Sequence, residues 1–159
     1  RYIDWIITTP LMVIKFPMLL GLGAKGKKWL TQLVVLDLIM IVTAYIAEVS
    51  EIASGTWWTF FLVAVVAWAA IIGLLFTGIG GAIEGAAPPI AKGLRQMRLF
   101  IAVGWIIYPV GFLLALAGED GGSIREIAYN VADVINKVGF GLVAYYAVKT
   151  MSAVEQKEA

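Results

Sequence analysis

Five stretches of the chain, 3–22, 29–49, 57–79, 99–117 and 124–148, are almost wholly apolar. Each is near or above the ~20 residues a helix needs to cross ~30 Å of hydrocarbon, so the pattern predicts five transmembrane helices. Glycine and proline mark their ends. Gly21, Gly23 and Gly26 end the first, and Asp120-Gly121-Gly122 closes the fourth. Gly78, Gly80, Gly81 and Gly85 with Pro88-Pro89 separate the third from the fourth and read as a flexible surface loop. No internal repeat or low-complexity linker interrupts the series. Residues 1–159 therefore read as a single transmembrane domain of an all-α membrane protein.

Inside these stretches lie Asp4, Lys15, Asp37, Asp133 and Lys137. A charge at the bilayer centre costs at least ~2.5 kcal/mol, so such residues normally face a protein interior where they carry ions, protons or a ligand. Composition points the same way. Hydrophobic residues make up 61% and charged ones 14%, against ~25% charged in soluble domains. The chain has no Cys and no His, which removes disulfides, thiolate and imidazole metal sites and cysteine nucleophiles. A net charge of +1 gives no case for nucleic acid. The first stretch begins with Arg1 rather than Met and already carries polar residues, so it is not a signal peptide, and the chain reads as truncated at its start.

Charge in the connections alternates in sign: Lys25, Lys27 and Lys28 in the first, Glu48 and Glu51 in the second. The third carries Glu84 against Lys92, Arg95 and Arg98, and the fourth Glu119, Asp120 and Glu126 against Arg125. By the positive-inside rule the first and third connections are cytoplasmic. The N-terminal end of this chain is then extracellular, and the tail 152–159 lies inside the cell, in a multi-pass protein of the plasma membrane.

Asp4, Thr8 and Lys15 are spaced by four and seven, and eleven helical steps of ~100° bring Lys15 to within ~20° of Asp4, about 16 Å along the axis. A carboxylate, a hydroxyl and an amine along the membrane normal suit a proton path. For an isolated helix, Lys15 could equally snorkel to the inner headgroups. Asp133 and Lys137 are i and i+4, one turn apart on one face. They could form a simple buried ion pair. A desolvated lysine also loses affinity for its proton, which frees the amine to condense with a carbonyl compound, with Asp133 as counter-charge.

The run from Arg1-Tyr2-Ile3-Asp4-Trp5 to Thr8-Thr9-Pro10 resembles the third-helix signature of microbial rhodopsins. Trp105-Ile106-Ile107-Tyr108-Pro109 resembles their sixth-helix motif, and Asp133-Val134-Ile135-Asn136-Lys137-Val138-Gly139-Phe140-Gly141 their retinal-lysine motif on the seventh. The three motifs stand in family order and span nearly the whole chain.

The resemblance implies five helices of a seven-helix bundle, with the first two missing, and all-trans retinal bound to Lys137 as a covalent protonated Schiff base. Asp4 would be counterion and proton acceptor, Asp133 second counterion, and Arg1 would tune the pair. Trp5, Thr9, Met12, Trp105, Tyr108, Pro109, Phe112 and Asn136 would line the retinal pocket, with Tyr108 hydrogen-bonded to Asp133. Met12 occupies the place where blue-tuned relatives carry glutamine. Asp37 would pair with Thr9 in a structural role. The triplet Asp4, Thr8 and Lys15 is similar to that of the Exiguobacterium type of proteorhodopsin-like pump, in which a lysine is the proton donor. Lys15-Phe16-Pro17 and Arg98-Leu99-Phe100 resemble that type as well. Arg125 departs from pumps that carry a release-group glutamate near the outer end of the last helix.

These features together imply a light-driven outward proton pump rather than an enzyme. The partners implied are retinal, the lipid bilayer, the two absent helices of the same polypeptide and further copies in a homo-oligomer. A sensory photoreceptor acting through a transducer is the alternative, and a chromophore-free helical transporter a third.

Overall fold

Helix leaves no backbone polar group facing lipid, and each apolar stretch winds into it. The structure is a computed structural model describing residues 1–158. The first leg of the bundle is α1 (Tyr2–Val13) with α2 (Lys15–Leu20), and the second is α3 (Gly23–Glu48). Ser54 opens the third leg by accepting a hydrogen bond from the Trp57 N–H at 3.2 Å, an N-cap that satisfies one of the free donors. That leg is α4 (Gly55–Gly73), prolonged by a π-helical turn at Leu74–Gly78. After the short α5 (Gly80–Glu84) comes α6 (Pro88–Ala102), then a 3-10 turn at Gly104–Ile106 and α7 (Ile107–Leu113). The last leg is α8 (Gly118–Asp133), a π-helical turn at Val134–Val138, and α9 (Gly139–Glu158). Residue 159 lies outside the described residues.

Helical winding is almost unbroken over the 69 residues Pro88–Gln156, which would reach about 100 Å if straight. The chain instead doubles back at Gly118, whose φ of 75° and ψ of −151° suit glycine and no side-chain-bearing residue. The two legs so formed close on glycines. A Cβ at Gly93 would lie 2.5 Å from Ala147 Cβ, one at Gly104 2.1 Å from Asn136 Oδ1, and one at Gly111 2.5 Å from Tyr129 Cε1. The partners descend in number as the glycines ascend, so the legs run antiparallel. Small residues here let two backbones approach where lipid supplies no hydrophobic drive for helix association.

Three local expectations are corrected. The first leg is two helices, because Pro17 has no N–H to offer the carbonyl of Val13 and the winding breaks at Ile14. The glycine-rich third connection is not a flexible surface loop: it contains α5, and Ile79 and Ile83, four residues apart, are fully buried in the core. Asp120-Gly121-Gly122 does not end the fourth leg. It belongs to the first turn of α8, where Glu119 and Asp120 meet the positive end of the helix dipole. Gly121 packs so tightly on the turn that a Cβ there would lie 2.0 Å from the Leu114 carbonyl oxygen.

Val13, Phe16, Leu33, Ile71, Leu75, Leu94, Met97, Ile101 and Phe140 are fully buried together and make the end of the bundle near Lys15 dry. A smaller aromatic cluster of Trp5, Tyr129 and Tyr2 with Ile41 fills the end near Arg1.

Gly93→Val should lower the unfolding stability of the detergent-solubilised protein by about 1–3 kcal/mol, the usual cost of forcing atoms into a packed interface. Denaturant titration followed by tryptophan fluorescence measures it, and an unchanged midpoint would mean that the two last legs do not meet at Gly93.

Candidate functional site

Lys137 lies in the π-helical turn at Val134–Val138, a rare winding that recurs at functional sites. Its Nζ pairs with a carboxylate oxygen of Asp4 across the bundle and lies 3.3 Å from Asp133 Oδ2 on its own helix. The two carboxylates are held differently. Asp133 accepts from Trp5 Nε1 at 3.2 Å on each oxygen and from the Tyr108 hydroxyl at 2.7 Å. Tyr108 is itself fixed: Asn136 Nδ2 lies 3.5 Å from its hydroxyl and donates to the Gly104 carbonyl at 3.0 Å, while Tyr129 donates to the Tyr108 carbonyl at 2.6 Å. Asp4 has no such shell. Lys137 is its one side-chain partner among the described residues, and half of its side chain is exposed on the open side of the bundle.

From Lys137 a cleft runs between the legs, enclosing about 760 Å³ of empty space with its open mouth included. Trp5, Thr9, Met12, Trp105, Tyr108, Pro109, Phe112 and Asn136, the side chains expected around a chromophore, all line it. Sequence reading missed the opposite wall, which α3 and α4 supply with Met40, Ile41, Ala44, Phe61, Ala64, Val65 and Trp68. Those residues are apolar themselves and carry no chemistry of their own, although Asp37 lies three, four and seven residues before Met40, Ile41 and Ala44 and marks their face of α3. Phe112 is anchored against that wall, stacked on Phe61 at 4.9 Å and on Trp57 at 4.5 Å between ring centroids. Apolar walls with one amine at the end fit retinal, whose polyene needs a dry slot and whose aldehyde needs an amine.

Arg1 turns away from Asp4. Its guanidinium donates twice to Glu126, one bond measuring 3.0 Å, and lies 4.7 Å from the Tyr129 ring centroid. Burial pulls the Arg1 guanidinium down, but the hydrogen bond and charge of Glu126 outweigh this and hold its proton above the ordinary arginine value. Arg125 lies 3.6 Å from Glu126 and 3.0 Å from Glu48, completing a four-charge network at this end. Glu126 and Glu48 were read from sequence only as connection charges. Arg1 is distant in sequence from Glu126 and Arg125 from Glu48, and no local signal marks these two pairings.

The remaining candidates separate. The Thr8 hydroxyl bonds the Asp4 backbone carbonyl at 2.9 Å, as helical threonines do, and does not reach the carboxylate. Thr9 donates to Asp37 Oδ2 at 2.8 Å between α1 and α3, and Asp37 is fully buried. Lys15 stands just past the break at Ile14, its Nζ 5.2 Å from the centroid of the Phe140 ring.

Residues 1–151 match the family model of bacteriorhodopsin-like proteins. The chain belongs to that family. This rhodopsin is 35% identical over 157 residues to the green-light absorbing proteorhodopsin of Gamma-proteobacterium EBAC31A08, covering 96% of this chain and 62% of that protein. It thus spans under two thirds of that relative's length. It is also 33% identical to sensory rhodopsin-2 of Haloarcula vallismortis, over 92% of this chain and 61% of that one. Among solved structures, Exiguobacterium sibiricum rhodopsin superposes with a TM-score of 0.92 at 50% identity, covering 97% of this chain and 72% of that chain. The rhodopsin resemblance drawn from three motifs is therefore correct.

Proposed function

We propose that the protein is a light-driven outward proton pump carrying retinal on Lys137, with Asp4 as proton acceptor and Lys15 as donor. The observation that carries this reading is the Lys137 amine standing between two carboxylates at the end of an apolar, aromatic cleft. Lys137 would hold retinal there as a protonated Schiff base, and the bound group would supply a light-driven change of shape.

The chain's own groups decide where that proton goes. Asp133 is held by two donors, the Trp5 indole N–H shared between its oxygens and the Tyr108 hydroxyl, so it serves as a fixed counter-charge. Asp4 lacks those donors and is the carboxylate free to take the proton. Arg1, held by Glu126, stands beyond Asp4 on the exit side as a fixed positive charge. On the other side, Val13, Phe16, Met97, Ile101 and Phe140 exclude water, so the proton must return through a carrier rather than along a wet channel. Lys15 is the ionisable side chain of the first leg at that end. Lysine charges in the first connection support a cytoplasmic Lys15 end and an extracellular Arg1 end.

Exposed carboxylate at Asp4 and part-exposed amine at Lys137 would be costly against lipid, which supports two further helices of the same polypeptide covering this face. The likeness to sensory rhodopsin-2 supports a second reading, a photoreceptor signalling through a transducer. Net proton transport separates the two.

In the protein with its complete bundle, Lys137→Ala should give no visible absorbance band with added retinal. A covalent pigment in that variant would assign the chromophore to another residue. Lys15→Ala should slow the return of the proton to Lys137 Nζ by about 10²–10⁴-fold, the usual worth of a positioned proton carrier. Release to Asp4 should stay fast. Flash photolysis measures both steps, and an unchanged return time across pH 6 to 9 would reduce Lys15 to a snorkelling lysine.

A further inference from the structure

Lys15 has no carboxylate partner: none of the ion pairs formed by the described residues includes it. An ammonium in a dry environment needs some compensating negative potential, and the π-face of an aromatic ring is one source. Phe140 supplies that face. The Lys15 Nζ lies 5.2 Å from its centroid, within the range of such attraction.

The ring is well held for the task. Phe140 is fully buried and makes edge contacts with Phe16 at 6.1 Å and Phe100 at 6.4 Å between centroids. Phe100 in turn lies against the backbone of Gly139, where a Cβ would come within 2.8 Å of its ring. The break at Ile14, caused by Pro17, sets where Lys15 leaves the first leg. Three separate elements thus fix the geometry of one amine over one ring.

We propose that Phe140 is a positioning residue for Lys15, whose ring face stands in for the missing carboxylate and holds the protonated amine at one place in the dry end of the bundle. The proposal rests on reading Lys15 as the donor. Its chemical consequence is that the ring attracts the ammonium and not the neutral amine, so it favours loading of Lys15 from the Lys15 end of the bundle. The elements around Lys15 carry the cations Lys25, Lys27 and Lys28 on α3, Lys92, Arg95 and Arg98 on α6, and Lys149 on α9, with Glu48 at the far end of α3 paired to Arg125 and Glu155 in the last turns of α9. Asp37 of α3 is engaged by Thr9, Asp4 of α1 by Lys137, and Glu84 of α5 by Arg95 and Arg98. Apart from Glu155, those groups oppose the charge on Lys15 or are committed elsewhere, and the substitutions below leave all of them unchanged.

The test replaces Phe140 by leucine, which keeps an apolar side chain, and by pentafluorophenylalanine, which keeps the ring and reverses its quadrupole. In the protein with its complete bundle, both Phe140→Leu and Phe140→pentafluorophenylalanine should slow proton return about two- to thirty-fold near neutral pH, the range set by cation–π attraction. The slowing should grow as pH rises and vanish as pH falls, because more protons restore loading. A second readout needs no light: proton NMR of the Lys15 ε-methylene, located by its absence in Lys15→Ala, should lose its ring-current shift in Phe140→Leu. An unshifted methylene overturns the pairing. A rate unaffected by pentafluorophenylalanine, or slowed equally at every pH, reduces Phe140 to packing. If Lys15→Ala itself leaves proton return unchanged while the methylene shift is lost in Phe140→Leu, the donor reading fails and the pairing stands as structural only.

Discussion

One lysine ammonium between two carboxylates, inside a protein built for hydrocarbon, is the constraint from which the rest follows. An isolated charge at this depth is strongly disfavoured, and pairing offsets the cost only when the remaining hydrogen-bonding capacity is also met. The chain meets it unevenly. Trp5 from the first leg and Tyr108 from the fourth both donate to Asp133, while Asp4 has Lys137 as its one side-chain partner among the described residues. Two chemically identical groups thereby stand in different surroundings.

Holding that asymmetry requires the two last legs to approach closely. Gly104 lets Asn136 in to brace Tyr108, and Gly111 lets Tyr129 in to bond the Tyr108 backbone. The glycines therefore act on chemistry through packing. Beyond the centre the two ends of the bundle diverge. Around Arg1 a network of four charges joins three legs, whereas around Lys15 a shell of buried aliphatic and aromatic side chains leaves an amine with a ring as its neighbour. The Arg1 end is thus polar and the Lys15 end apolar.

Much of this was legible in the sequence. Hydropathy alone gives five legs, and the charges inside them single out Asp4, Lys15, Asp37, Asp133 and Lys137, because a charge in those runs is costly to bury. Motif resemblance adds Trp5, Trp105, Tyr108 and Asn136. What stayed hidden depends on long-range geometry. Arg1 and Glu126 lie at opposite ends of the chain, and Glu126 reads locally as one more charge in a connection. Asp120-Gly121-Gly122 has the composition of a turn, yet the turn falls at Gly118, whose φ of 75° suits glycine, while Gly121 packs inside α8 against the Leu114 carbonyl. The glycines between the third and fourth legs suggest a loop, but Ile79 and Ile83 share a face that the core can bury, and burial decides. Pro17 enters the sequence reading only as part of Lys15-Phe16-Pro17, and its effect on the winding at Ile14 becomes visible only in the fold.

Directional proton movement driven by light is the central claim. Liposomes or cells carrying the protein with its complete bundle and retinal are illuminated while external pH is recorded, beside an Asp4→Asn control. Intact cells should acidify the medium in light and recover in darkness, with the signal abolished by a protonophore and absent in Asp4→Asn. A pigment that absorbs and recovers without moving external pH, or that pumps unimpaired with Asn at position 4, would contradict the account.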